Sequence, residues 1–403
     1  MKSFFSAIKA FSAVTLICVL CIISCKSDKD VVSHEKIIPN GYEFIQEKLL
    51  DAKPNSIIEI PEGLYEINRS LSLDDISNVT IKGAGMGKTI FSFLKQSSGA
   101  EGLRITADSI SLQDFTVADA KGDAIKLQGC NGVDIQRVKT TWTQGTKSTN
   151  GAYGLYPVQC EGVNIDDCEA AYASDAGIYV GQSKDIIVKN CYAHHNVAGI
   201  EIENCINSEV FDNVSENNTG GLLVFDLPDL KMVNGKGCKV YRNKILNNNL
   251  KNFATEGNMV AIIPPGSGIV LLAAKDVEIY DNEIIGHKTI GVGICSYHIT
   301  ENSWKDQRYD PFTYDITVYN NTLTRKTAIP DVTKRFGQMV NMLFPGKPQD
   351  ILYDGILKDG ASGENPMNIC IKNNKSEDLR FANIDAANEF ENVDRNMSPY
   401  DCL

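Results

Sequence analysis

A short motif recurs along this chain at a nearly constant spacing, and it constrains the fold more than any other feature. The motif is a small residue, usually glycine, followed by two aliphatic residues that flank one variable position. Four successive copies begin at Gly154, Gly177, Gly199 and Gly221, which are 23, 22 and 22 residues apart. A repeat of this length is too short for a strand–helix–strand unit, which needs about 30 residues or more. It suits three short strands joined by tight turns.

A second motif keeps the same step and ends an alternating strand in a polar pair. Its last position is Cys168, Cys191, Asn213, Asn243, Asn282, Asn321 and Asn374. In a stacked coil, one turn (a rung) lies about 4.8 Å from the next, so equal positions come directly above one another. Each asparagine amide can then donate to and accept from its neighbour. We therefore predict an all-β protein, a single-stranded right-handed parallel β-helix with an internal asparagine column.

The segments around the repeats predict a cap and several loops. Residues 37–50 place apolar side chains at helical spacing, so we expect a short amphipathic helix that covers the open end of the core. Longer spacings between rungs mark insertions, which often lie beside a binding surface. The predicted insertions are 226–237, 247–266, 297–313 and 325–352. The β-helix domain is predicted over 37–403, with its N-terminal cap at about 37–75 and irregular C-terminal rungs and loops at about 325–403.

Nine of the twelve cysteines follow residue 25, and an odd number excludes a complete disulfide framework. A second column of small residues, next to the asparagine column, consists of Cys130, Cys160, Ser183 and Cys205. Cysteine packs well as a small buried side chain. We interpret both columns as thiols stacked in or near the core, with a disulfide between adjacent rungs left open.

The first residues predict export. Lys2 and Lys9 form a short basic region before an apolar run, Phe11 to Ile23. This run is shorter than the roughly 20 residues of a membrane-spanning helix and is typical of a signal peptide. The run ends Ile-Ile-Ser-Cys at residues 22–25, which resembles the lipobox of bacterial lipoproteins. The resemblance implies a signal peptide at 1–24, lipidation of Cys25, a polar tether at 25–36, and an outer-membrane or cell-surface location. An ordinary secretory signal with a chance cysteine is the alternative.

The charge balance excludes one class of partner. The chain carries 39 basic and 51 acidic residues, a formal net charge of −12. Such a surface repels polyanions, so we expect no nucleic acid partner.

Several stretches resemble known β-helix families. Residues 61–65 (Pro-Glu-Gly-Leu-Tyr) and 81–85 (Ile-Lys-Gly-Ala-Gly) look like the start of pectate-lyase-like right-handed β-helix proteins. Residues 174–183, 196–204 and 218–228 resemble a family of bacterial parallel β-helix repeat lipoproteins, and the match extends roughly from residue 40 to 325. This resemblance implies the fold and export, but no reaction. The Asp-Pro-His-Asp signature of mannuronan C5-epimerases, which share the fold more distantly, does not occur in the chain.

The register of the first motif predicts a candidate site, because its aliphatic residues point into the coil and its variable residue points out. Successive rungs then form an outward row of a lysine, two tyrosines and a glutamate, with acidic and histidine side chains expected beside it. The candidate catalytic residues are Tyr179, Glu201, His195 and Asp175, and the candidate substrate-binding residues are Lys126, Tyr156, Glu203, His194 and Asp226.

These residue types suit a glycan groove. Tyrosine faces can bind sugar rings, and a Tyr, His or Lys side chain could remove the C5 proton of a uronic acid. Glu201 and Glu203, roughly 6.5–7 Å apart along one strand, would suit an inverting glycosidase. An ordinary solvated sheet face explains the same residues. No metal site is predicted and no cofactor is required, although calcium at Asp226 stays open.

Three functions therefore remain. The first is an enzyme acting on a polysaccharide: a lyase, a C5-epimerase or a glycoside hydrolase. The second is a non-catalytic glycan- or protein-binding lipoprotein, and the third is an envelope-assembly component with a protein partner at 325–352. A basic groove would favour an enzyme acting on an acidic glycan, and an acidic or apolar groove would favour binding. The assembly hypothesis would gain from exposure of Phe336, Met339, Met342, Leu343 and Phe344.

Overall fold

The computed structural model describes residues 36–402, which belong to one compact unit. The predicted signal peptide, the predicted lipidation site Cys25 and nearly all of the predicted tether lie outside the described residues. No helix in residues 36–402 combines the length and apolar character needed to cross a membrane.

Short strands make up most of this unit. In chain order they are β1 (Ile37–Ile38), β2 (Ile57–Glu59), β3 (Gly63–Glu66), β4 (Arg69–Asp74), β5 (Val79–Lys82), β6 (Thr89–Ser92), β7 (Ser98–Thr106), β8 (Ile110–Ala118), β9 (Ile125–Gln128), β10 (Asn131–Thr141), β11 (Tyr153–Val158), β12 (Glu161–Asp166), β13 (Glu169–Ala171), β14 (Ala176–Gly181), β15 (Lys184–Lys189), β16 (Tyr192–His194), β17 (Ala198–Glu203), β18 (Ile206–Phe211), β19 (Val214–Glu216), β20 (Gly220–Phe225), β21 (Lys236–Tyr241), β22 (Lys244–Leu246), β23 (Ser267–Leu272), β24 (Lys275–Tyr280), β25 (Glu283–His287), β26 (Ile290–Cys295), β27 (Tyr314–Tyr319), β28 (Thr322–Arg325), β29 (Gln349–Tyr353), β30 (Ile369–Lys372) and β31 (Phe381–Asn383).

Two parallel sheets contain these strands, and the chain winds between them as a right-handed parallel β-helix, which confirms the predicted fold class. The first motif forms an 11-stranded sheet, here called the motif sheet, made of β4, β7, β9, β11, β14, β17, β20, β23, β26, β29 and β31. The other strands form the second sheet. The register steps by one rung, so that Ile178 of β14 lies opposite Ile200 of β17. Both side chains are fully buried inside the coil.

The N-terminal cap is a helix, as predicted. Helix α1 (Gly41–Leu50) buries Ile45 and Leu49 on the end of the core. The side-chain amide of Gln46 donates to the carbonyl of Ser72 at 3.0 Å and accepts from its N–H at 2.9 Å. The helix thereby satisfies edge groups of β4 that would otherwise be open to another strand.

The predicted asparagine column is present. Asn213 donates from its backbone N–H and from its amide to Oδ1 of Asn243, each at 3.0 Å, and the same amide donates to the carbonyl of Val188 at 2.9 Å. A second asparagine column was not predicted. It runs through the corner before the motif sheet, where Asn196 donates to Asn218 and Asn218 to Asn248, at 3.1 and 3.0 Å. Buried turn backbone is thus hydrogen-bonded from rung to rung.

The cysteine columns are buried, as predicted. Cys130, Cys160, Cys168, Cys191 and Cys205 are free thiols in the core. The disulfide found in residues 36–402 does not join adjacent rungs within these columns. It connects Cys370 of β30 to Cys402 and so ties the end of the chain to the last rungs.

The long insertions change the outer face of the motif sheet. Segments 226–235, 249–266 and 297–313 pack over this face and form a second apolar cluster outside the coil. Its buried members include Tyr179, Leu223, Phe225, Val260, Ile263, Val270, Tyr297 and Tyr309. The insertion at 325–352 contains helix α2 (Arg335–Leu343), where only loops were predicted. Its Val340 and Phe344 are buried, and Met342 is the only large apolar side chain of the five named above that is exposed.

Candidate functional site

The predicted row points out of the coil but does not lie on an open face. Lys126 of β9 pairs with Tyr156 of β11, and Tyr179 of β14 pairs with Glu201 of β17. Lys126 and Tyr156 are half-buried, whereas Tyr179 and Glu201 are only 3% and 2% exposed. The expectation of a solvated groove along the whole row is therefore wrong, because the insertions cover its far end.

Three tyrosines form an aromatic group at the border of the covered region. The ring centroids of Tyr153 and Tyr156 are 4.5 Å apart, as are those of Tyr153 and Tyr179, and those of Tyr156 and Tyr179 are 5.0 Å apart. The ammonium of Lys126 lies 5.0 Å from the centre of the Tyr156 ring, at a distance typical of cation–π contacts. Tyr153 was missed in the sequence because it precedes the motif glycine, outside the alternating positions that were considered.

Tyr179 reaches the next rung through a gap left by a glycine. Its phenol donates a hydrogen bond of 2.7 Å to Oε1 of Glu203. A β-carbon at Gly181 would lie only 2.2 Å from the phenol oxygen, so the glycine makes room for the ring. Tyrosine and carboxylate thus form a positioned pair rather than two independent surface groups.

Glu201 is a buried carboxyl group without a partner. Its Oε2 atom has no hydrogen bond within residues 36–402. Burial raises the pKa of Glu201 well above its usual value, and the nearby Asp175 and Glu203 raise it further. These effects favour the protonated form of the carboxyl group, and an unpartnered buried polar atom of this kind needs an explanation.

Asp175 and Glu203 complete a group of acids, which we call the carboxyl cluster (Asp175, Glu201 and Glu203). Asn258, in the second insertion, donates to Oδ2 of Asp175 at 2.8 Å. Burial, together with the charge of Glu203, raises the pKa of Asp175 to about 7. Burial also raises the pKa of Glu203 to about 7, although the hydrogen bond from Tyr179 acts in the opposite direction. Asp175 and Glu203 can therefore hold a proton near neutral pH.

The two histidines lie in a different cluster. Nε2 of His194 is 3.2 Å from Oε1 of Glu169, and the Nδ1 atoms of His194 and His195 are 2.8 Å apart. The rings of Tyr192 and Tyr172 pack against these imidazoles. Asp175 lies under the second insertion, where it accepts from Asn258, and it forms no hydrogen bond with either histidine. His194 and His195 stay predicted site residues that this geometry does not join to Tyr179 and Glu201.

Asp226 is used by the loop that it begins. Its carboxylate forms a buried ion pair with Lys275 at 2.8 Å and accepts from the backbone N–H groups of Asn234 and Gly235 at 3.0 and 3.1 Å. These bonds hold the two ends of the first insertion together, and they use the carboxylate oxygens that a ligand would need. Within residues 36–402, no group of three or more His, Cys, Asp or Glu side chains is arranged to hold a metal ion.

The site is acidic. Burial raises the pKa of Asp123, at the open end of the row, to about 6 despite the charge of Lys126. Lys126 itself lies 3.9 Å from Glu101 and 4.0 Å from Asp123, so its charge is shared with two carboxylates. The basic groove that would favour an acidic glycan is therefore not present at this row.

Comparison with known proteins supports the fold. Residues 101–258 match the family model described as a right handed beta helix region. The chain is 26% identical over 232 residues to the pre-neck appendage protein of Bacillus phage B103, a match that covers 48% of this chain and 25% of that protein. The corresponding protein of Bacillus phage phi29 is 24% identical over 210 residues, covering 43% and 23%. The chain thus spans about a quarter of the length of these relatives.

A solved structure agrees. The A-module of the mannuronan C-5 epimerase AlgE6 from Azotobacter vinelandii covers 86% of this chain and 92% of its own length, with a TM-score of 0.52 and 16% sequence identity. A similarity at this identity shows a shared fold and leaves the chemistry open. Residues 101–258 are therefore a right-handed β-helix region, and the described chain has the right-handed parallel β-helix fold.

Proposed function

We propose that this protein binds an uncharged polysaccharide and hydrolyses it at the carboxyl cluster. The observation that carries this proposal is Glu201, a buried and unpartnered acid with a raised pKa, beside two carboxyl groups whose pKa values are about 7. Perturbed acids grouped in this way are typical of acid–base catalysis. Half-buried tyrosine rings lead from the surface to this group and suit the faces of sugar rings.

Glycoside hydrolysis needs one carboxyl group that donates a proton and one that accepts a proton. In our proposal Glu201 protonates the oxygen of the glycosidic bond as that bond breaks. Asp175, when ionised, takes a proton from the water molecule whose oxygen joins the sugar carbon. Glu203 is held by Tyr179 and keeps the pKa of its two neighbours high.

An uncharged substrate follows from the electrostatics. The cluster is acidic and the charge of Lys126 is shared with Glu101 and Asp123, so a uronic acid chain would be repelled there. This argument favours hydrolysis over the lyase and epimerase reactions, both of which act on uronic acids. Binding without hydrolysis is the alternative that an acidic groove also favours.

Access to Glu201 requires the second insertion to move. Residues 249–266 cover the carboxyl cluster, and the hydrogen bond from Asn258 to Asp175 holds this cover in place. In a further bond, of 3.2 Å, the hydroxyl of Thr255 donates to the carbonyl of Ser148 in the loop before β11. We propose that this segment opens to admit the glycan together with the attacking water molecule, and then closes against bulk solvent.

The location of the protein belongs to the same proposal. The lipobox-like residues 22–25 support anchoring through Cys25 to the outer membrane or cell surface, where polysaccharide is encountered. Cys25→Ser should move the protein from the membrane fraction to the soluble fraction of the producing bacterium. If this variant stays in the membrane fraction, anchoring through Cys25 is refuted.

The hydrolase proposal is tested with the full-length chain and a panel of neutral and uronic-acid polysaccharides. Reducing ends report hydrolysis, and absorbance at 235 nm reports a lyase product. We expect reducing ends from a neutral glycan with the wild type, and a loss of at least 100-fold in Glu201→Gln. Glu283→Gln, an exposed position on the second sheet, should keep full activity. Binding without product would support the non-catalytic alternative, and neither binding nor product would refute both.

A further inference from the structure

A polar cleft of about 260 Å³ opens beyond the carboxyl ends of β11 and β14, outside the covered row. Its polar lining consists of Asn131, Gln159, Glu161, Gln182, Lys184 and Lys231. The cleft was not predicted, because two of its residues are corner residues and Lys231 comes from the first insertion. Its volume is below the roughly 300–1,000 Å³ of drug-sized sites, so it suits an occupant of one sugar residue.

Lys231 donates hydrogen bonds to two glutamine side chains in this cleft and so determines which of their atoms stay available. Its ammonium donates to Oε1 of Gln159 at 2.9 Å, and its backbone N–H donates to Oε1 of Gln182 at 3.1 Å. Both glutamine oxygens are therefore occupied. The two amide NH2 groups have no hydrogen-bond partner in the described part of the chain, and they remain available to donate to an occupant.

The charge of the lining points to an anion. Lys184 and Lys231 face a single carboxylate, Glu161, so the cleft carries a local positive excess on a chain with a net charge of −12. Lys184 is exposed and forms no ion pair within residues 36–402. Ammonium and amide donors that converge on one cleft bind a carboxylate well.

The remaining polar atoms are acceptors. The carboxylate of Glu161 and the amide oxygen of Asn131 receive no side-chain hydrogen bond from any described residue, and both lie at the same cleft. Acceptors beside an anion-binding set of donors suit a ligand with hydroxyl groups as well as a negative charge. The side chain of Met232 adds an apolar surface for the ligand ring.

We propose that this cleft binds a single sugar acid, such as a hexuronic acid at the end or on a branch of a glycan. Lys184, Lys231 and the two glutamine amides hold the carboxylate, and Glu161 and Asn131 accept hydrogen bonds from ring hydroxyls. This site is separate from the carboxyl cluster, and the proposal stands whether or not that cluster is catalytic.

Calorimetric titration of the full-length chain tests this proposal, with glucuronate, glucose and inorganic sulfate as probes. Glucuronate should bind, and Lys184→Gln should weaken that binding at least fivefold. Lys239→Gln removes an exposed lysine elsewhere on the second sheet and should leave the affinity unchanged. Circular dichroism and the melting temperature establish that Lys184→Gln retains the fold, as expected for an exposed side chain.

Three outcomes would overturn the proposal. The first is the absence of glucuronate binding, and the second is an unchanged affinity in Lys184→Gln. The third is glucose or sulfate that binds as tightly as glucuronate, because the site would then not recognise a charged sugar. Asn131→Ala provides a second measurement: it removes an acceptor at the cleft without changing the charge, so it should weaken glucuronate binding, and an unchanged affinity would contradict the placement of the ring hydroxyls.

Discussion

The phenol of Tyr179 donates a 2.7 Å hydrogen bond to Glu203 over the bare backbone of Gly181. The two partners belong to adjacent strands of the motif sheet, and the glycine lies two residues after the tyrosine on its own strand. The hydrogen bond between this buried tyrosine and this buried acid is thus possible because Gly181 has no side chain in the space between them.

Gly181→Ala should therefore destabilise the protein. The new β-carbon would meet the phenol ring of Tyr179, and the ring cannot move freely under the second apolar cluster. We expect a loss of about 1–3 kcal/mol in the free energy of unfolding, which is the usual cost of overpacking. Urea unfolding measures it. Gly87→Ala, at a glycine with open space around it, serves as the control, and equal stability in the two variants would show that the phenol has room to move.

The carboxyl cluster should make stability depend on pH. The folded protein keeps protons on Asp175 and Glu203 up to a pKa of about 7, whereas the unfolded chain releases them near pH 4. The folded state therefore binds more protons between about pH 4 and 7, and the free energy of unfolding falls as pH rises through that window. The contribution of these two groups is fully present below pH 4 and lost above pH 7.

The double variant Asp175→Asn/Glu203→Gln should remove the part of this dependence that these two groups contribute, while Glu201 keeps its own part. We compare the free energy of unfolding of the variant with that of the wild type at pH 5 and at pH 8. The difference should shift in favour of the variant by on the order of 3 kcal/mol between these two pH values. Urea unfolding at intervals between pH 5 and 8 provides the comparison, with Glu283→Gln as the matched exposed substitution. Parallel curves for the wild type and the double variant would contradict raised pKa values at both groups.

The sequence predicted the direction of Tyr179 and Glu201 but not their burial. Direction follows from the two-residue period of a strand, which any alternating segment reveals. Burial depends on residues 249–266 folding back over the sheet, and that contact leaves no periodic signal in the chain. For the same reason Asn258, the partner of Asp175, could not be found from the repeat.

The second asparagine column, unlike the cover over Glu201, does leave a periodic signal in the sequence. Asn196 and Asn218 each lie three residues before a motif glycine, at Gly199 and Gly221. The first column was identified because its residues end a strand pattern. The second lies in a corner between strands, where no alternation draws attention to it, and equal spacing alone would have revealed it.

The cover over the carboxyl cluster should loosen in Asn258→Ala. This change removes the hydrogen bond to Asp175, which lowers the pKa of that group, so the pKa of Asp175 should rise above its present value of about 7. The backbone amides of residues 250–263 should exchange with solvent about tenfold faster, as expected when a bond worth about 1.4 kcal/mol is lost from a locally opening segment. Hydrogen–deuterium exchange measures this, with Glu256→Gln, an exposed position in the same segment, as the control. Unchanged exchange would mean that apolar contacts alone hold the cover.

The asparagine column should be one of the most sensitive parts of the core. Oδ1 of Asn243 accepts two hydrogen bonds from Asn213, and its amide donates to the carbonyl of Val210 at 2.8 Å. Asn243→Ala would leave these buried groups without partners, at a cost of roughly 2–5 kcal/mol in the free energy of unfolding. Thermal and urea unfolding measure the loss.

Asn243→Cys tests the donor and the acceptor of Asn243 separately. Cysteine is a suitable replacement because the chain itself has cysteine in the same column. The thiol of Cys168 lies 3.5 Å from the carbonyl of Ile135 on the preceding rung, so a cysteine can replace the amide donor. It cannot replace the oxygen that accepts from Asn213 on the preceding rung. We therefore expect Asn243→Cys to be destabilised, but less than Asn243→Ala. Equal losses in the two variants would mean that the acceptor oxygen, rather than the donor, accounts for the stability that the column provides.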